Sequence, residues 1–441
     1  MIRDIYYTKR YPHEIISNDD ENRVSMHILL RTSIIRIETR TKDEDKNMGY
    51  DFDKVHNRKN TNSLKWDFAE ERHHSEDELP LWVADMDFPS PPQVVDAIVK
   101  SASAGFFGYT DPKPADKRIV SDWYKRRHGF YPDPDAIIFT PGTVFGITTA
   151  ILAFSEPGDS VMISQPVYYP FSEAVTDNGR KLIRNELIRD DNGRYTIDFD
   201  AFEKQIAEND VKIYTLCSPH NPVGRVWKKD ELQRIADIAL KYNVLVIADE
   251  IHADFVYEEN EFVSFSSLSE EVRNNTVLAT APSKTFNTAG LQISPIFIFD
   301  PEKRRHFRQK LGAEGYSQID FLALAALKAS YTECDEWVDE VVEYIHENIL
   351  YMESFLKERL PELKMTHPEG TYLTWVDFSG LGLSASELER FIREKSKLWL
   401  DAGFIFGKCG EGYERFNLAA PRKIVEECLT RLERAVSDLK K

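Results

Sequence analysis

Residues 280–291 read Thr-Ala-Pro-Ser-Lys-Thr-Phe-Asn-Thr-Ala-Gly-Leu. The apolar run Val277-Leu278-Ala279 leads into this stretch and predicts a short buried strand. Pro282 stops the strand, and Gly290 permits a tight turn soon after. Lys284 therefore falls just beyond a strand end, in a polar and backbone-rich setting. In open α/β sheets, ligands bind outside the carboxyl ends of the strands. A lone lysine in a turn is ordinarily a surface residue. Its company decides otherwise.

Upstream, strand and helix patterns alternate. Ala136 to Phe139 predicts a strand, Thr140 to Val144 a sharp turn, and Phe145 to Phe154 a helix. A turn running into a helix N-terminus collects free N–H groups, so Gly142, Thr143 and Val144 are candidates to hold a phosphate. Ser160 to Ile163 is a strand ending at the adjacent aromatics Tyr168 and Tyr169, and Lys181 to Leu187 is another. Val211 to Leu216 runs into a loop stiffened by two prolines and a glycine around Asn221. The helix Lys228 to Tyr242 precedes Val244 to Ile247, a continuous apolar strand as expected of a parallel sheet buried on both faces. That strand stops at Ala248-Asp249-Glu250. The alternation predicts an α/β domain with a mostly parallel sheet.

Four strand ends thus offer Tyr168/Tyr169, Asn221, Asp249 and Lys284. A lysine amine forms a Schiff base with an aldehyde, and pyridoxal 5'-phosphate uses that link. Its ring nitrogen needs an acid, which a buried strand-end aspartate such as Asp249 provides. Its phenolate needs a donor, available in the Asn221 amide. Its ring needs a flat apolar partner, which Tyr168 can be. Its phosphate needs N–H groups and hydroxyls, present at Gly142 to Val144 and Ser283. Each residue alone has an ordinary structural explanation. All of them at strand ends, in this order, make coincidence improbable.

The motifs Leu-Trp-Val-Ala-Asp-Met-Asp-Phe (81–88), Pro-Val-Tyr-Tyr-Pro (166–170), Asn-Pro-Val-Gly (221–224), Ala-Asp-Glu-Ile-His (248–252) and Ser-Lys-Thr-Phe-Asn (283–287) carry a family resemblance. From about Tyr50 to the C-terminus the chain resembles the fold-type I aminotransferase superfamily. More narrowly, it resembles the MalY/PatB group of cystathionine β-lyases and cysteine C–S lyases, which includes cystalysin. The resemblance implies a large cofactor-binding domain, its mostly parallel seven-stranded sheet sandwiched by helices, and a smaller α+β domain. It implies that Lys284 carries the cofactor, Asp249 pairs with the ring nitrogen, Asn221 contacts the ring oxygen and Tyr168 stacks on the ring. Tyr169 would assist proton handling. Tyr109 would reach the phosphate from a neighbouring subunit, which implies a homodimer. Arg415, in Gly412-Tyr-Glu-Arg-Phe-Asn417, matches the segment that binds the substrate carboxylate; on its own it would be read as an interdomain ion pair. Ala281 and Gln292 stand where the wider superfamily often has serine and arginine, which implies a phosphate held with less positive charge.

The implied reaction is α,β-elimination on an L-amino acid with sulfur at Cβ. Lys284, freed by the substrate amine, takes the Cα proton; the products are a thiol, pyruvate and ammonia. The alternatives are an aminotransferase, or a regulatory binding protein that keeps fold and cofactor.

The rest of the chain fits this frame. With 56 basic and 74 acidic residues, the net charge of −18 argues against a nucleic-acid protein. No apolar run approaches the ~20 residues of a membrane span. Cys217, Cys334, Cys409 and Cys428 show no metal-ligand spacing and read as reduced thiols of a cytoplasmic protein. Residues 1–47 read as a loosely attached or dispensable extension, with a fresh start at Met48. Residues 48–90 form an irregular segment packing with the small domain, 91–329 the large domain and 330–441 the small one. Pro91 and Pro92 open a helix, and Phe106 to Tyr109 reads as a turn. In the C-terminal part, Glu336 to Arg359, Ala385 to Lys395 and Val425 to Leu439 predict helices. Gly370 to Asp377, with one exposed face, and Gly403 to Gly407 predict strands.

Overall fold

Seven strands form the central sheet: β1 (Ile137–Thr140), β2 (Ser160–Gln165), β3 (Lys181–Glu186), β4 (Val211–Cys217), β5 (Leu245–Asp249), β6 (Thr276–Ala279) and β7 (Ser294–Ile298). The computed structural model describes residues 49–190, 193–257 and 260–440; the expectations for residues 1–47 and Met48 lie outside them. The strand order is β1-β7-β6-β5-β4-β2-β3. β7 runs antiparallel to both of its neighbours, β1 and β6; β2, β3, β4, β5 and β6 pair in parallel among themselves. β5 and β6 are buried along their whole length, as a sheet covered on both faces requires.

The helices used below are α1 (Pro92–Ser103), α2 (Thr143–Phe154), α3 (Lys229–Lys241), α4 (Pro282–Thr285), α5 (Phe321–Glu333), α6 (Asp335–Arg359) and α7 (Arg422–Leu439). Their boundaries follow from local chemistry. Proline begins α1 and α4, where the missing N–H costs nothing. At α3 the Glu231 carboxylate accepts from the Lys228 N–H at 2.8 Å, while Leu232, Ile235, Ala236 and Ala239 face the core. α6 carries an apolar stripe, Trp337, Val338, Val341, Ile345, Ile349, Met352 and Leu356, at helical spacing. Each such side chain fully buried contributes about 1.5–3 kcal/mol. The C-terminal sheet holds β8 (Lys364–Thr366), β9 (Leu373–Asp377), β10 (Asp401–Ala402) and β11 (Tyr413–Asn417) in the antiparallel order β8-β9-β11-β10. Leu79–Pro80 pairs in parallel with Leu398–Trp399.

Three expectations fail. Gly403 to Gly407 is not a strand: Gly403–Phe406 is a 3-10 turn. A Cβ at Gly403 would lie 2.1 Å from the Gly410 carbonyl oxygen and 2.9 Å from Trp375, so two glycines let the chain fold back on itself. The strand expected from Gly370 begins only at Leu373, and it has no exposed face: all five residues of β9 are buried. Its polar members are satisfied internally, Thr374 Oγ1 lying 3.8 Å from Met352 Sδ and Trp375 Nε1 donating to the Tyr195 hydroxyl at 3.2 Å. The helix from Ala385 ends at Arg390 and widens into a π-turn over Phe391–Lys395. The helices Pro114–His128, Pro301–Ala313 and Phe321–Glu333 were not anticipated. Phe321–Glu333 is Ala- and Leu-rich and buried on several sides, so it lacks a polar face to mark its period.

Candidate active site

The parallel strands deliver their carboxyl ends to one edge of the sheet. Cys217, Asp249 and Ala279 are register neighbours across β4, β5 and β6. Asp249 is the last residue of β5, and Lys284 follows β6 on α4. The turn expected at Lys284 is thus a single helical turn opened by Pro282.

Asp249 is 4% exposed, and among the described residues its carboxylate accepts only the Ile251 N–H, at 3.1 Å. Burial pushes this carboxyl up to about 7, only partly offset by that N–H and by Lys284. Lys284 is pushed the other way, down to about 8, by burial and then by Arg415. Its Nζ donates to the Ala84 carbonyl at 2.8 Å. An amine near 8 is a usable nucleophile and base at neutral pH.

Arg415, 2% exposed, sits on β11 opposite Asp401 of β10 and pairs with its carboxylate. The ion pair is therefore a cross-strand one within the small sheet. The same guanidinium donates to Asn221 Oδ1 at 3.0 Å and to the Trp82 carbonyl at 2.8 Å. Taking the amide oxygen of Asn221 leaves its NH2 as the free end, the donor that a ring oxygen needs. The Tyr168 N–H donates to the Asn221 carbonyl at 3.1 Å, fixing Tyr168 beside it. The Tyr168 ring lies 5.5 Å from Tyr169 and edge-on to Phe171 at 5.9 Å. Burial, then Tyr169, raises its phenol.

Gly142 and Thr143 stand at the N-terminus of α2, which begins at Thr143, before the expected Phe145. Thr143 Oγ1 is 3.1 Å from Ser294 Oγ, and Ser294 bonds the Thr280 carbonyl, so this turn is tied to the strand leading to the lysine. Ser283 is half-buried and Val144 is 36% exposed. Tyr109, 94% exposed, stands apart from the cluster.

Residues 82–88 act as a strap across the site, and their carbonyls are bound one after another by side chains distant in sequence. Val83 and Asp85 accept from Asn417, Ala84 from Lys284 and Tyr372, Met86 from Arg58 and Asn287, and Phe88 from Asn287. Lys65, with no exposed surface, reaches the Asp85 carbonyl at 3.0 Å and Asp87 at 2.8 Å. Irregular buried backbone needs such partners. Sequence reasoning quoted the strap but missed its anchors Tyr372, Asn287, Asn417 and Lys65, and it missed His252. His252 is 3% exposed, its basicity held well down by burial, Lys284 and Arg415, and its ring packs edge-on to Tyr372 at 5.6 Å. It lay inside the quoted Ala-Asp-Glu-Ile-His motif without a role.

These residues fit pyridoxal phosphate: a buried carboxylate short of donors, an amine of lowered basicity, an amide with its donor end free, a tyrosine ring, and a helix N-terminus with hydroxyls nearby.

The chain is similar to the cystathionine beta-lyase PatB of Bacillus subtilis (strain 168), 40% identical over 386 residues, spanning 88% of this chain and 100% of that protein. It is similar to Protein MalY of Escherichia coli (strain K12), 31% identical over 389 residues, 88% of this chain and 99% of that one. Its fold matches the crystal structure of cystalysin from Treponema denticola, which contains a pyridoxal 5'-phosphate cofactor, with a TM-score of 0.86 and 41% identity over 89% of this chain and 100% of that one. Residues 76–432 match the aminotransferase class I and II model, and on that match, laid over a lysine and an aspartate at neighbouring strand tips, the chain belongs to the aminotransferase class I and II family.

Proposed function

We propose that this protein is a pyridoxal-phosphate-dependent carbon–sulfur lyase of the cystathionine β-lyase type. It cleaves the Cβ–S bond of an L-amino acid to give a thiol and aminoacrylate, which water hydrolyses to pyruvate and ammonia. The observation that carries the reading is the pair Lys284 and Asp249 at adjacent strand tips, one held low in basicity and the other starved of donors. Similarity to lyases over nearly the whole chain supports it.

Bound there, the cofactor supplies an electron sink for the substrate's Cα–H electrons. The rest falls to the chain's own residues. Lys284 Nζ holds the cofactor and, once displaced, takes the Cα proton. Asp249 keeps the ring nitrogen protonated, its preference for the acid form giving way once a cationic N–H arrives. Asn221 Nδ2 donates to the ring oxygen, and Tyr168 covers the ring. Gly142, Thr143, Val144 and Ser283 hold the phosphate. Arg415 takes the substrate α-carboxylate: its terminal nitrogens already hold Asn221, Trp82 and Asp401, and its Nε is buried without a partner among the described residues. Tyr169 assists proton handling.

The exposed ring of Tyr109, beside Phe106 and Phe107 at 84% and 69% exposure, supports its donation to a second subunit's phosphate and hence a homodimer. Residues 330–441 serve as the small domain, with 48–90 as a segment that packs with it and 91–329 as the large one. Among the described residues no helix is long and apolar enough to cross a membrane, and the four cysteines are unpaired. A cytoplasmic enzyme agrees with both.

The test is Lys284→Ala in the cofactor-loaded protein. Pyruvate release from L-cystathionine and the absorbance of the lysine-linked cofactor should vanish together. Retained turnover refutes the assignment, and keto-acid-dependent amino transfer by the wild type in place of pyruvate release identifies an aminotransferase instead.

A further inference from the structure

Trp82 connects a second guanidinium, that of Arg72, to the one that takes the α-carboxylate. Its carbonyl accepts from Arg415 Nη2 at 2.8 Å, while its ring carries Arg72, whose Cζ is 5.1 Å from the ring centre. Trp82 stacks on Trp399 at 4.9 Å and 7°, and Trp399 stacks on His74 at 4.1 Å and 15°, so the indole that supports Arg72 is clamped from behind. Both arginines, with His74, act electrostatically on Asp401. Asp401 is already engaged by Arg415, and His74 by Glu78. The Arg72 guanidinium makes no hydrogen bond or ion pair among the described residues; its neighbours Glu70 and Glu71 are exposed and do not reach it. The Trp82 Nε1–H is a second unused donor, on a side chain only 8% exposed, with no partner among the described residues. A buried N–H left unpaired is costly, and an acceptor placed there would recover that cost.

We propose that Arg72 and Trp82 form a second carboxylate subsite next to Arg415, one that receives the far end of the sulfur leaving group. The preferred substrates are then thioethers whose leaving group is itself a carboxylate-bearing amino acid, such as L-cystathionine, over S-alkyl cysteines with an uncharged tail. This deepens the lyase reading and rests on it. Planar guanidinium against carboxylate gives paired, charge-assisted hydrogen bonds, and a stacked guanidinium loses little entropy in making them.

The experiment compares L-cystathionine with S-ethyl-L-cysteine in wild type, Arg72→Met and Arg72→Lys, all cofactor-loaded. Methionine keeps an apolar stem over Trp82 while removing the fork, and thermal unfolding checks that each variant is folded. Arg72→Met should lower kcat/KM for L-cystathionine by about 10-fold or more, chiefly through KM, as loss of a charge-assisted pair predicts. S-ethyl-L-cysteine should change less than about 2-fold, and Arg72→Lys should fall between. Equal loss on both substrates, or no loss on either, overturns the subsite. If the wild type releases pyruvate from neither compound, the lyase reading fails instead. The subsite is then judged by titrating the cofactor's absorbance with the same two compounds: selective weakening of L-cystathionine in Arg72→Met upholds it, and unchanged affinities refute it.

Discussion

Replacing Asp249 by asparagine should move stability and activity in opposite directions. The carboxyl's ordinary value is 3.8, and burial raises it to about 7 in the fold. The folded-state value lies above the unfolded one, so the folded state holds the proton more tightly. Raising the pH ionises the unfolded chain first and favours unfolding. The loss begins near pH 4, grows by about 1.4 kcal/mol per pH unit, and levels off above pH 7. At pH 8 the charge therefore costs the cofactor-free protein up to about 4 kcal/mol, and at pH 5 about 1.5. Asparagine carries no such cost, and comparison with wild type at each pH cancels the titrating groups that do not sense Asp249, leaving its coupling to the nearby Lys284 amine. Thermal unfolding of the stripped proteins should show Asp249→Asn several degrees more stable at pH 8 and close to wild type at pH 4. With cofactor present the order reverses: asparagine cannot hold a proton on the ring nitrogen, and turnover should fall on the order of a hundredfold or more. A stability gap in the stripped proteins that is absent at pH 8, or the same at pH 4 and pH 8, would refute the account of Asp249 as a buried carboxylate awaiting a cation.

Capture of pyridoxal phosphate by the stripped protein, followed by absorbance, should quicken with a midpoint near pH 8, where Lys284 loses its proton; a midpoint near the ordinary 10.5 contradicts the burial of that amine. Gly403→Ala places a Cβ 2.1 Å from the Gly410 carbonyl oxygen and should cost about 3 kcal/mol in chemical denaturation. A silent change would mean the fold-back is pliable. Asn287→Ala removes three hydrogen bonds to the strap, at 3.2, 3.0 and 2.8 Å, at a residue with φ of 54°. It should cost about 2–4 kcal/mol and loosen cofactor retention, both read on dialysed protein. Lys65→Met leaves Asp87 buried with Arg58 and Trp66 as its remaining partners and should cost about 3 kcal/mol; adding Asp87→Asn should recover part of it, and no recovery would separate the two residues.

The parts of the fold legible in the sequence are those with a local cause. Val244 to Ile247 reads as a buried strand because four apolar residues in a row have no other economical use between a helix and an Asp-Glu pair. The lysine, aspartate and asparagine announce themselves because each ends such a run. Phe321–Glu333 was missed because a helix buried on several sides has no alternation to read. Gly403–Phe406 was misread because its aromatics resemble a strand, while the constraint that bends it is a glycine seven residues on. β9 looked half exposed because its threonine, Thr374, and its Trp375 indole N–H bond inside the protein.

The strap explains why the site's support is less visible than its chemistry. Residues 82–88 adopt no regular structure, so nothing in their own pattern says which groups hold their carbonyls. Those groups come from residues 58–65, 284–287, 372 and 415–417, and only the folded chain brings them together. Lys284 makes the dependence concrete. The Ala84 carbonyl that its ammonium now occupies also accepts the Tyr372 hydroxyl, at 3.2 Å. Were the amine to turn to an aldehyde it would give up a half-buried, charge-assisted hydrogen bond, yet the carbonyl it leaves keeps a donor. On the proposed assignment the lysine would alternate between strap and cofactor without leaving an unpaired backbone oxygen behind. A lysine that, as proposed, is displaced and then returns as a base would have in the Ala84 carbonyl a resting place within reach.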